Sequence, residues 1–157
     1  VKAISLWQPW ASFIAFGRKT IETRSWSTQY RGPILIHAAK RVNKQEQKAI
    51  LSMPAFNKAL GLDPVECDLE AGLEKLSKLP YGAIIAQTTL IDCKHTDEID
   101  LDQYPDQEGW LGDFSIGRYG WIFGSVFAFD EPIPYKGEQG LFEVPPAVVA
   151  GQIMKMV

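Results

Sequence analysis

The sequence predicts an α+β fold: a mixed β-barrel of about five or six strands, with helices inserted between strands and one more helix at the C-terminal end. Three observations predict it. Short β-rich runs are separated by connections longer than hairpin turns, two helix-patterned segments follow the third strand in succession, and the strict strand-helix alternation of a parallel sheet is missing.

Lys2 to Trp7 reads as the first strand. Pro9 sits where the first turn of a helix tolerates proline, and Trp10, Phe13, Ile14 and Phe16 give a helical apolar face that Gly17 stops. Thr20 to Trp26 is a strand, Tyr30 to Gly32 a turn, and Pro33 to Ala38 a strand rich in Ile and Leu. Lys40 to Leu60 is helical, interrupted near Pro54 and ended by Gly61, and Leu69 to Leu79 is helical again. Tyr81 to Asp92 contains the run Ala83-Ile84-Ile85-Ala86, whose continuous apolar character indicates a strand covered on both faces. Residues 97–117 form an acidic loop insertion with one turn of helix at most. Tyr119 to Phe129 has the aromatic and β-branched content of a central strand, and Leu141 to Val144 forms a short one. Pro145-Pro146 then opens a final helix to about Met154. No repeat, biased tract or linker divides the chain, so residues 1–157 are expected to form a single domain.

Composition narrows the function classes. With 46% hydrophobic and 22% charged residues the chain has material for a core, and no apolar run approaches the roughly 20 residues that span a bilayer. The expectation is a cytoplasmic protein without membrane contact. Cys67 and Cys93 are too few for a disulfide framework and are read as reduced thiols. The net charge of −3 hides an asymmetry: residues 1–48 hold nine Lys and Arg against Glu22 and Glu46, a net +7, leaving −10 for the remainder. Eight carboxylates lie between Asp92 and Asp113 against one Lys94. Such a division allows one basic face for phosphates on an acidic protein.

The chemistry concentrates in Gly17-Arg18-Lys19-Thr20-Ile21-Glu22-Thr23-Arg24. In an extended chain Thr20, Glu22 and Arg24 project from one face and Thr23 from the other. A carboxylate between Lys19 and Arg24 holds both cations in place, as a small polar pocket for an anionic or amide-bearing ligand requires. The bland alternative is a strand edge charged against aggregation. Around this segment lie Trp7, Trp10, Trp26 and Tyr30. Trp10 and Trp26 read as core, whereas Trp7 and Gln8 end the first strand at the mouth of the helix, offering a stacking surface and an amide for a base edge. No metal or other cofactor is expected: Cys93-Lys94-His95 lacks a second ligand pair. His37 lies within an apolar strand and reads as a satisfied core or rim histidine, with no nucleophile-elbow serine to serve.

The ordered set Ile4-Ser5-Leu6-Trp7-Gln8-Pro9-Trp10, Gly17 to Arg24, Trp26, Arg31-Gly32-Pro33, Ile34 to Lys40 and, more loosely, Gly117-Arg118-Tyr119-Gly120-Trp121 to Phe142 resembles the ASCH domain family. The resemblance implies a PUA-like barrel and a cleft for RNA or a nucleotide, lined by the G-x-K-x-x-E-x-R positions Gly17, Lys19, Glu22 and Arg24. It implies RNA or a modified nucleoside as partner, with no obligate protein partner evident. The binding residues expected on this basis are Trp7, Gln8, Lys19, Glu22, Arg24, Arg31, Lys40 and Arg118, the last brought to the far wall by family likeness alone. Some small members are metal-independent amidohydrolases that deacylate cytidine with the motif lysine, a threonine three residues later and a distant glutamate; others are reported as ribonucleases. Here the threonine position is Glu22, so Lys19 carries over and the nucleophile does not, and the catalytic candidates are Lys19 as base with Glu22 in an assisting role.

Overall fold

In the computed structural model, which describes residues 1–62 and 68–157, eight strands form one sheet and six α-helices flank it. Cys67 lies outside the described residues, and Cys93 carries a free thiol. The first strand, β1 (Lys2–Leu6), runs parallel to β3 (Gly32–Ala38) and antiparallel to β7 (Leu141–Glu143). Strand β2 (Ile21–Arg24) pairs with β5 (Tyr119–Phe123), and the path across the sheet reads β2-β5-β4-β3-β1-β7. The sheet is mixed and open along this path, with more strands than expected and no pairing between its two ends among the described residues.

The reason is the length of β4 (Ala83–His95). One edge of it pairs with β3, while the other takes β6 (Phe127–Pro134) near its start and β5 near its end. Register shifts at Ile84/Ala86 and Leu90/Asp92 mark where it bends between partners. The stretch expected as one strand from Tyr119 to Phe129 is therefore two. The chain turns at Gly124 and Ser125, whose carbonyls accept from Thr88 Oγ1 at 3.2 and 3.0 Å.

Helix α1 (Trp10–Ala15) packs on β3 and β4, and with Ile4, Leu6, Ile34, Ile36 and Trp121 it closes the main core. Each such fully buried aliphatic side chain contributes about 1.5–3 kcal/mol relative to exposure. A second core forms where Phe13 of α1 meets α2 (Lys44–Leu51), α3 (Pro54–Ala59) and α4 (Leu69–Ser77). Asn43 and Asp68 cap α2 and α4 by accepting the N–H groups of Glu46 and Ala71. Leu111 of the acidic segment joins this core, so that segment is packed. It contains two 3₁₀ turns and the short helix α5 (Gln107–Trp110).

The C-terminal helix is shorter than expected. Helix α6 (Pro146–Val149) ends before Gly151, which turns the chain at φ +76°, and β8 (Met154–Met156) then pairs antiparallel with β6. The strand wins there because β6 presents an otherwise unpaired edge.

Candidate functional site

Gly17, at φ +68°, ends α1, and the N–H groups of Arg18 and Lys19 both donate to the Phe13 carbonyl, at 2.8 and 3.2 Å. This hooked turn sends the Lys19 side chain inward, to 1% exposure. Its ammonium donates to the Ile21 carbonyl, lies 3.7 Å from Glu22 Oε2, and sits 5.8 Å from the centre of the Trp10 ring. Burial pushes the Lys19 pKa below its ordinary value, against the opposing pull of Glu22 and Glu108. The other Glu22 oxygen lies 3.8 Å from Arg24 Nη1, and the Arg24 guanidinium covers the Trp26 ring at 5.6 Å. One carboxylate thus holds both cations, as the spacing predicts.

The acidic segment forms the opposite wall, and it does so through a residue that sequence reasoning missed. Glu108 is 1% exposed, and its carboxylate accepts from the backbone N–H and hydroxyl of Thr20 and from the N–H of Ile21, at 2.8–3.0 Å. It clamps α5 onto the motif turn. The available signal was the set of apolar residues spread through the acidic stretch, Leu101, Leu111 and Phe114 among them. Beyond it, the backbone at Gly112 passes so close to the site that a Cβ there would stand 3.4 Å from Lys19 Nζ. Asp113 follows, its pKa held down by hydrogen bonds from the hydroxyl and N–H of Ser115, and its carboxylate lies 3.4 Å from Arg118 Nε. Arg118 Nη2 also donates to the Thr23 carbonyl at 3.1 Å. Thr23, expected to face away, borders the cleft as well, because the Asp113 N–H donates to its hydroxyl at 3.1 Å and folds the wall over it.

Between these walls lies a cleft of about 500 Å³ bordered by Trp7, Trp10 and Trp26. Trp10 and Trp26 do pack edge-on against core rings, at 5.3 Å from Phe56 and 4.6 Å from Trp121, yet each also borders the cleft. Three cations (Lys19, Arg24, Arg118) and three carboxylates (Glu22, Glu46, Asp113) line it, so it is balanced in charge. Every one of its cations has a carboxylate within 4 Å.

The structure therefore gathers Trp7, Lys19, Glu22, Arg24 and Arg118 around one recess, and places the other candidates elsewhere. Gln8 is buried, its amide donating to the Pro80 carbonyl at 2.7 Å and accepting from the Ser12 N–H at 3.1 Å, so both ends are used in anchoring α1. Arg31 turns to β4, where it meets Asp92 at 3.1 Å and the Cys93 carbonyl at 3.3 Å. Lys40 lines a separate hollow beside Ser5 and His37. No group of three or more His, Cys, Asp or Glu side chains is arranged to hold a metal among the described residues, and no described helix is long and apolar enough to cross a membrane.

The profile of the ASCH domain matches residues 4–143, nearly the whole of the sheet and both walls of the cleft. The chain belongs to the ASCH domain family. Its ASCH fold is similar in sequence to activating signal cointegrator 1 of Homo sapiens and of Mus musculus, each 32% identical over 104 residues. The match covers 66% of this chain and 16% of each of those longer proteins. The G-x-K-x-x-E-x-R residues Gly17, Lys19, Glu22 and Arg24 occupy the turn and strand that open the cleft.

Proposed function

We propose that this ASCH domain binds RNA by receiving one base, or one modified base, in the tryptophan-walled cleft. The observation that carries the reading is the pairing of all three cleft cations with carboxylates beside three tryptophans that border the cleft. Neutralised cations favour a polar, uncharged guest over a bare phosphate, and aromatic faces beside them stack a base at about 1–3 kcal/mol each. Glu22, held from both sides, accepts from an exocyclic amine in the manner by which carboxylates read cytosine N4. Trp7, 38% exposed at the lip, is the face most open to a ligand. The test is titration with cytidine, uridine and short RNAs. Cytidine is expected to bind more tightly than uridine, with the preference lost in Glu22→Gln; equal affinities in the unmodified protein refute the reading.

A hydrolytic reading is favoured by one further observation. Lys19 with its lowered pKa, the Thr23 hydroxyl and the Glu46 carboxylate all border the same cleft, which are the residue types that the amidohydrolase members use, with threonine shifted by one position. In that chemistry Lys19 would take the hydroxyl proton as Thr23 Oγ attacks the acyl carbon and pass it to the departing cytidine N4, and water would then hydrolyse the acyl-threonine ester, releasing the carboxylic acid and restoring the Thr23 hydroxyl. Incubation with N4-acetylcytidine in the presence of a chelator decides it: turnover abolished by Thr23→Val supports the reading, and an absence of turnover removes it.

A further inference from the structure

Lys19, Arg24 and Arg118 are all paired within the base cleft, which leaves the question of where a strand's phosphates would lie. A second hollow, about 750 Å³, opens beyond β1. It is lined by Lys40, Arg41 and Lys136 against the single carboxylate Glu138, and none of its three cations has an ion-pair partner among the described residues. All three are exposed. The floor is built: the Ser5 hydroxyl and His37 Nδ1 lie 2.9 Å apart, and His37 Nε2 lies 2.9 Å from the Tyr135 carbonyl. A carbonyl only accepts, so Nε2 carries the proton and Nδ1 accepts from Ser5. This chain of bonds fastens the segment bearing Lys136 to β1 and β3. Gly137 completes the fit, since a Cβ there would meet His37 Cε1 at 2.5 Å.

The two hollows are joined. A connecting recess of about 430 Å³ shares Trp7, Arg24 and Trp26 with the base cleft and Ser5, Glu138 and Gln139 with the second hollow. The Arg41 guanidinium lies 5.9 Å from the centre of the Trp7 ring, across the boundary. Ser5 lies within β1 and Trp7 directly follows its last residue, so one short stretch of chain borders both hollows.

We propose that the hollow of Ser5, His37, Lys40, Arg41 and Lys136 is a phosphate subsite continuous with the base cleft, so that the ligand is a single-stranded RNA segment and not a free nucleoside. The base stacks at Trp7, the strand passes over the recess beside Arg24, and the neighbouring phosphate meets the unpaired cations. This rests on the base-binding reading above. The test compares cytidine, a cytidine-containing tetranucleotide and inorganic pyrophosphate, each titrated across a salt series with the unmodified protein, with Lys40→Ala/Arg41→Ala/Lys136→Ala, and with Glu22→Gln.

The tetranucleotide is expected to bind at least about tenfold more tightly than cytidine, and the triple variant to remove that gain, so that it binds the tetranucleotide and cytidine about equally. The slope of log K against log salt should fall by about 1–2, as loss of two or three phosphate contacts requires. A triple variant with unaltered tetranucleotide affinity and slope overturns the subsite, as does pyrophosphate binding that equals that of the tetranucleotide. Failure of the base reading gives a different signature: Glu22→Gln then changes nothing, while the triple variant still weakens the tetranucleotide.

Discussion

The two hollows on either side of the Trp7 rim differ in how their cations are used. In the motif cleft Lys19, Arg24 and Arg118 each spend their charge on Glu22 or Asp113, whereas Lys40, Arg41 and Lys136 face an open hollow with no ion-pair partner among the described residues. A cation already paired and partly buried orients its carboxylate and shapes a pocket; an exposed, unpaired one attracts phosphate and responds to salt. The lesson is that the most motif-like charges in this chain are the least available to a polyanion. On the proposed reading, recognition and attraction fall to neighbouring but separate surfaces.

The strongest way to break this contrast is to release the wall of the motif cleft. Glu108→Ala leaves the Thr20 and Ile21 donors without their acceptor and removes a carboxylate near the Lys19 ammonium, at a cost to folding of about 3 kcal/mol measured by urea denaturation. Cytidine affinity should fall with it. Trp7→Ala sharpens the contrast from the rim: both ligands should weaken by about 1–3 kcal/mol in calorimetric titration, because Trp7 borders the cleft and the connecting recess alike.

A smaller effect comes from His37. Burial lowers its pKa in the folded protein, so the unfolded chain binds more protons as pH falls. The stability that neutral His37 contributes is complete above about pH 6.5, the unperturbed value, and is lost as pH drops from there toward the depressed folded value. Denaturant midpoints between pH 7.5 and pH 5 should show this decline, and His37→Gln should flatten it. Smallest of all, Arg31→Ala breaks a half-exposed pair with Asp92 on another face and should change stability by less than about 1 kcal/mol and cytidine affinity not at all.

Much of this organisation is legible in the letters where the signal is local. The apolar run of β3, the stop at Gly17 and the alternation of Glu22 and Arg24 follow from backbone sterics and strand periodicity, and these place the motif at a cleft. What escapes is set by partners far along the chain. Glu108 lies 88 residues from Thr20, and its burial depends on α5 docking against the turn that follows α1, a partner that apolar residues in the acidic segment signal without naming. Gln8 looks available at a strand end until Pro80 and Ser12 use both ends of its amide. The final residues carry a helix-compatible start at Pro146, yet the open edge of β6 decides that Met154–Met156 is a strand. His37 could be read as satisfied, but its partners, Ser5 and Tyr135, emerge only from the parallel pairing of β1 with β3 and the loop folded over them.

The most direct test of base recognition in the motif cleft uses the indole N–H resonances of the five tryptophans during titration with cytidine. Trp7, Trp10 and Trp26, which border the cleft, should shift together and saturably, while Trp110, 62% exposed and outside it, stays fixed. Shifts confined to Trp110, or no shift at the three cleft indoles, would contradict it.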